Sequence, residues 1–278
     1  MKVPAKAGTA LSTALSASDA RVESLALLIA RDEYAGLDLL QEEARLDEIA
    51  GPLLEADLAQ ASPTEQAERL RLRVYEELGF RGNEDDYYDP RNSWLSDVMR
   101  RKTGIPITLA IILIAVGRRA GFEVRGVGFP GHFLARVGRG EGAVYVDPFF
   151  GGRLLVGGAL DRLAARFLGS SRRLRPEHLA PVDPRSIVIR MLVNLKHAHE
   201  RRQDHPRALV ATDRLVELTG SATFRRDRGL HALALGALEA AEEDLLAYLA
   251  ETPDPGDRRQ IELALLRAQE GAGRQQPC

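Results

Sequence analysis

The 278-residue sequence predicts an α+β domain followed by an all-α helical region. Three observations carry this. Residues 107–120 are almost wholly apolar, at a length that suits a helix buried on most sides. The hydrophobic period then falls to two over residues 122–148. From Ser186 onward helical spacing returns, with a 33-residue internal repeat. Hydrophobic residues make up 45% of the chain, enough for a sizeable core and against wholesale disorder. The 38 basic and 40 acidic residues nearly cancel, which excludes the strongly basic signature of a dedicated nucleic-acid binder.

Residues 1–20 hold Lys2, Lys6 and many small residues without a compact apolar run, and read as a mobile tail, not a signal peptide. The first domain is expected over 21–182. Ser18 or Asp19 is expected to cap a helix carrying Leu25, Leu27, Leu28 and Ile29. Leu37, Leu40, Ala44, Leu46, Ile49 and Leu53 continue the pattern, and Pro63 opens a third helix through Leu70, Val74 and Leu78 to Gly79. Gly82–Pro90 is an acidic turn. Asn92 or Ser93 opens a short helix with Trp94, Leu95, Val98 and Met99, which Gly104-Ile105-Pro106 interrupts. Pro106 suits the first turn of the apolar helix, where a missing N–H costs nothing, and Gly121 suits its end.

Strands are expected at about 122–128, 132–137 and 143–148, the last two joined by a turn in Gly138–Gly142. Leu160–Leu168 reads as a short helix, and Pro176, Pro181 and Pro184 prevent one long one. The second region, 183–272, is expected to hold helices at 187–202, 206–218, 222–235, 238–250 and 258–270. Ala208 and Ala241 are 33 residues apart, as are Gly220 and Pro253, while Gly229 and Gly236 are seven apart. This resembles the tetratricopeptide pattern, whose period is about 34 residues. Such a region offers a groove for a peptide or a partner helix.

The chemistry centres on Gly126–Arg136 and Val144–Pro148. A symmetric two-residue turn at Arg139-Gly140 sets His132 directly opposite Asp147. Alternation then places His132, Leu134, Tyr145 and Asp147 on one face, and Phe133, Ala135, Val137, Val144 and Val146 on the core face. A carboxylate beside an imidazole fixes its tautomer and stabilises the imidazolium, as in a nucleophile–His–Asp triad. A structural His–Asp hydrogen bond on a sheet fits the same spacing.

The stretches NSWLSDVMRRKTGIPITLAIILIAVGRRAG, GVGFPGHFLARV and VDPFFGG resemble the SirB-type branch of the transglutaminase-like superfamily, which joins such a domain to a tetratricopeptide tail. The resemblance spans roughly residues 25–270 and is most specific over 88–153. It implies a transglutaminase-like core of the papain-like cysteine-protease type. It also implies a Cys at the start of the buried helix, four residues before an alanine; matching Ala110 puts that position at Pro106. His132 and Asp147 match the other two positions. The only cysteine, Cys278, is the last residue, so the triad implied by the resemblance is incomplete.

Other candidates carry less. Thr103 and Thr108 are hydroxyls near Pro106, but a threonine nucleophile needs a base and an oxyanion site. Asp85, Asp86 and Asp89 do not follow an EF-hand loop and read as a solvated turn. His197 and His199 are two apart on a helix and face different directions. Arg172, Arg173 and Arg175 suit phosphate contact or a solvated face. No metal or cofactor is called for. The preferred function is a noncatalytic or catalytically altered transglutaminase-like protein, a regulatory pseudoenzyme of the cytoplasm that acts through a protein or peptide partner, with no membrane span. The alternative is a cysteine-independent hydrolase or acyltransferase using His132 and Asp147. A nucleic-acid regulator using the arginine-rich connector is the weakest class.

Overall fold

The computed structural model describes residues 6–56, 58–168, 174–254 and 256–275. The chain divides into two compact units, Thr13–Met191 and Met1–Ser12 with Leu192–Cys278. The division falls inside a helix, beyond the 182–183 boundary expected. The reason is local: Ile187 at the start of that helix packs against Gly126 of the sheet.

The α/β unit is built on helix α6 (Pro106–Arg119), after α2 (Val22–Glu33), α3 (Leu39–Glu55), α4 (Pro63–Arg71) and α5 (Leu95–Arg101). Local signals start two of these helices. Asp38 accepts the N–H groups of Leu40 and Gln41 to cap α3, and Ser62 accepts that of Glu65 to cap α4. Helix α2 begins at Val22 after Arg21, with no side-chain cap, not at Ser18 or Asp19. Past α4 the chain winds into a π-helical segment, Leu72–Glu77.

Helix α6 buries every residue from Pro106 to Gly117. Helices α2 to α5 and the first four strands of the chain pack on it. Gly117 makes one of these crossings possible: a Cβ there would lie 2.3 Å from Val124 Cγ2. The charges of α6 wait for its last turn, where Arg118 and Arg119 reach the buried Glu23 at 2.6 and 3.0 Å.

Two two-residue strands, β1 (Arg81–Gly82) and β2 (Thr103–Gly104), pair in parallel. The main sheet is antiparallel in the order β3 (Val124–Val127), β4 (Leu134–Val137), β5 (Val144–Asp147), β6 (Arg153–Leu154). Its β4–β5 register corrects the sequence expectation. Val137 pairs with Val144 and Ala135 with Val146, so the connection is not a two-residue turn at Arg139-Gly140 but the loop 138–143 with a 3-10 turn at Gly140–Gly142. His132 precedes β4 instead of lying in it. The partner of each β4 residue is shifted by two positions from the expected pairing, an even change that leaves the parity of the faces intact.

Both faces of the sheet are covered. Phe133, Ala135, Val137, Val144 and Val146 are buried as expected. On the other face, Leu134, Val127 and Phe129 form a second core with Leu155, Leu163 and Ala164. Helix α7 (Ala159–Leu168) supplies the last two.

The helical unit contains α9 (His205–Thr219), α10 (Ala222–Ala234), α11 (Leu238–Glu251) and α12 (Arg258–Gln275), after α8 (Pro184–Arg201). Helix α10 packs on α9 and α11, and α11 on α12. Ala208 and Ala241 are fully buried. The expected tail at 1–20 is corrected as well: Lys6–Leu15 forms helix α1, with Leu11 buried. Residues 1–5 lie outside the described residues.

Candidate functional site

Strand β5 delivers Asp147 at its last position, just before Pro148. The carboxylate is completely buried. Its Oδ1 lies 2.9 Å from His132 Nε2 and accepts the Phe149 N–H at 3.1 Å. A longer bond comes from the Phe150 N–H at 3.4 Å, and Arg153 Nη2 reaches Oδ2 at 3.3 Å. Burial pulls the Asp147 carboxyl upward, but the His132 hydrogen bond and charge, the Phe149 amide and Arg153 together hold it below the ordinary carboxylate range. An ionised carboxylate only accepts. Nε2 of His132 therefore carries the proton that bridges the pair.

His132 is positioned by the Pro130-Gly131 turn. Gly131 has φ +65°, and its backbone runs so close to α7 that a Cβ would lie 2.4 Å from the Phe167 ring. The His132 N–H donates to the Phe129 carbonyl at 3.0 Å, and its own carbonyl accepts from Arg190 Nη2 at 2.7 Å. The imidazole stacks on Phe167, with ring centres 5.8 Å apart and planes 13° apart. A sheet face that alternation alone leaves uncovered is thus roofed by α7.

Tyr75 is a residue that sequence reasoning missed. It lies on the π-helical segment, its ring against Gly152. Its hydroxyl is buried and makes no hydrogen bond among the described residues. Burial and the negative charge of Asp147 push its pKa well up. A tyrosine within an apolar helical stretch reads as core.

Pro106 opens α6, with Ile105 before it as N-cap. Thr108 is committed to structure: its Oγ1 lies 2.7 Å from the Asn92 carbonyl and accepts the Ile105 N–H at 3.2 Å. Thr103 donates to the Arg101 carbonyl at 3.1 Å. No hydrogen bond joins either threonine to His132 among the described residues. Asp89 is buried and paired with Arg91 and Arg101, while Asp85 and Asp86 are exposed. His197 is exposed and His199 buried, so the helix separates them as their spacing implies. Among the described residues no group of three His, Cys, Asp or Glu side chains is arranged to hold a metal ion. Arg172, Arg173 and Cys278 lie outside the described residues. Arg175 is exposed, 3.7 Å from Glu177.

Comparison with known proteins agrees with this architecture. Residues 41–193 match the Transglutaminase-like superfamily, and residues 195–266 match the tetratricopeptide repeat. A UPF0162 protein of Xylella fastidiosa (strain Temecula1) is 39% identical over 236 residues, covering 83% of each chain. A UPF0162 protein of Vibrio cholerae is 32% identical over 212 residues, 74% of this chain and 78% of its own. F-box only protein 21 of Homo sapiens is 38% identical over 90 residues, 30% of this chain and 14% of its own length. No solved structure gives a significant match. No helix among the described residues is long and apolar enough to cross a membrane. A superfamily match across more than half of the chain, with a relative alike along most of its length, places the protein: the chain belongs to the transglutaminase-like superfamily and carries a tetratricopeptide-like region behind that domain.

Proposed function

We propose that this chain is a catalytically altered, noncatalytic transglutaminase-like protein of the SirB type, which works in the cytoplasm as a regulator by holding a protein or peptide partner. One observation carries the reading. Proline stands at the position matched to the nucleophile, on the first turn of α6, and the only cysteine of the chain is residue 278. His132 and Asp147 keep the supporting half of a triad, but Asp147 is saturated by donors and the imidazole is stacked under Phe167. In this reading the pair ties the β3–β4 turn to the end of β5. Partner binding falls to the helical region, where α9, α10 and α11 enclose a groove of about 260 Å³ between Leu209, Asp213, Arg228 and Glu243.

Thiol chemistry needs a thiolate to attack a carbonyl while an imidazole manages the proton. The purified chain is expected to show neither amine incorporation into glutamine peptides nor amide hydrolysis, and to be indifferent to alkylation of Cys278. Robust activity lost in Cys278→Ser would overturn the reading. Activity that survives Cys278→Ser but is lost in His132→Ala would instead establish the cysteine-independent alternative.

A further inference from the structure

Beyond buried Leu134, on the same face of the sheet as Asp147, lies a wide-open surface cavity of about 560 Å³. That is the size of a small-molecule site. Arg136 and Tyr145, paired in register across β4 and β5, form its floor. Leu174, Arg175, Leu179 and Pro181 form its walls. The Tyr145 hydroxyl donates to the Leu179 carbonyl at 3.4 Å and holds that wall to the sheet.

Arg136 is the telling residue. Its Nε is buried and has no hydrogen-bond acceptor. Among the described residues no carboxylate pairs with its guanidinium, although Arg153 on the same sheet reaches Asp147 and Arg175 lies near Glu177. A buried donor without an acceptor is costly, and a ligand that supplies the acceptor recovers that cost. The Nε edge of a guanidinium matches the two oxygens of a carboxylate or a phosphate. Asp161 stands exposed at the rim, unpaired with either arginine, so the lining favours one anionic head over a polyanion. The leucine and proline walls call for an apolar body.

We infer that this cavity binds a small organic anion, a carboxylate or phosphate monoester with an apolar body, whose head sits on Arg136. The site is independent of the partner-binding reading above. Calorimetric titration of the full chain at low ionic strength with phenylacetate, phenyl phosphate and inorganic phosphate tests it. At least one aromatic probe is expected to bind saturably, with Kd below about 1 mM. Inorganic phosphate, which cannot use the walls, should bind about tenfold more weakly or worse. A preference between the two aromatic probes assigns the head group. Arg136→Gln should weaken binding by about tenfold or more, and Arg175→Gln by about threefold or less. Ala180→Trp, at an exposed position on the lining, should block the cavity in a folded chain even if Arg136→Gln fails to fold. Absence of saturable binding by both aromatic probes, or binding unchanged in Arg136→Gln or Ala180→Trp, would overturn the assignment.

Discussion

Helix α6 of the α/β unit and helix α10 of the helical unit are each packed on by their neighbours, yet they bury different things. Helix α6 buries carbon: Leu109, Ile111, Ile112 and Leu113 are fully enclosed. Helix α10 buries Asp227, Gly229, His231 and Ala232. Asp227 meets Lys196 at 2.7 Å and Arg226 at 2.6 Å. Arg228 grips Asp244 through bonds of 2.7 and 2.8 Å and Asp213 through one of 2.7 Å. His231 Nε2 lies 3.2 Å from Glu200. The cause is spacing. A Cβ on Gly229 would lie 3.0 Å from Asp244 Cβ, so helices this close leave little room for large side chains between them. Helix α6 is held by the transfer of apolar surface out of water, which needs no protonation state and is not screened by salt. Helix α10 depends on charge pairs, and breaking one strands its partner.

The largest expected effect tests the apolar side of this contrast. Leu109→Ala should destabilise the α/β unit by about 2–5 kcal/mol, read by chemical denaturation, with little dependence on salt. A cost that shrinks in high salt would break the contrast. Gly117→Ala should cost about 1–3 kcal/mol, because the new methyl meets Val124 inside a packed crossing. On the other side, Ala241→Leu should overpack the buried helix contact by about 1–3 kcal/mol, and hydrogen exchange should place the loss in α10 and α11. An unchanged melting transition would contradict the close packing of Ala241.

The pH dependence sharpens the comparison. Burial raises the pKa of Glu200, but its bonds to His231 and Lys196 outweigh this and bring it from 4.5 to about 2. A carboxyl depressed in the folded state contributes stability that is complete above its unfolded pKa and lost as pH falls toward the folded value. The contribution of Glu200 should therefore fade between pH 4.5 and about 2. Glu200→Gln should flatten that part of the acid-stability profile, and a profile identical to that of the parent chain would count against the pairing. The smallest effect belongs to Phe167, which is 41% exposed. Phe167→Ala should change stability by about 1 kcal/mol or less. It should also speed the modification of His132 by diethyl pyrocarbonate, and an unchanged rate would mean that Phe167 does not shield the imidazole.

Much of this was legible in the sequence, for identifiable reasons. The apolar run after Pro106 could be nothing but an enclosed helix, and α6 begins at that proline. The spacing of Ala208, Gly220, Ala241 and Pro253 carried the helical pairs, because each repeat is a local unit. The short parallel strands β1 and β2 were not legible, since two residues carry no period and their partners lie far apart in the chain. The π-helical segment that presents Tyr75 follows the same apolar pattern as an α-helix. The helix at Lys6–Leu15 hides in a stretch of small residues with few large apolar groups.

His132 and Asp147 mark where the two kinds of information part. By itself the sequence determined the residue types and their side of the sheet: a histidine, a carboxylate, a shared face, and a proline where the superfamily resemblance calls for a thiol. Those properties follow from identity and from the two-residue period of a strand, which survives any even change of register. Only the tertiary structure decided that the pair closes at 2.9 Å from a turn instead of a strand. It also decided that α7 roofs the imidazole and that Arg136 is left without a carboxylate among the described residues. Each of these depends on a turn conformation or on an element distant in sequence, and a contact of that kind is written in no local pattern.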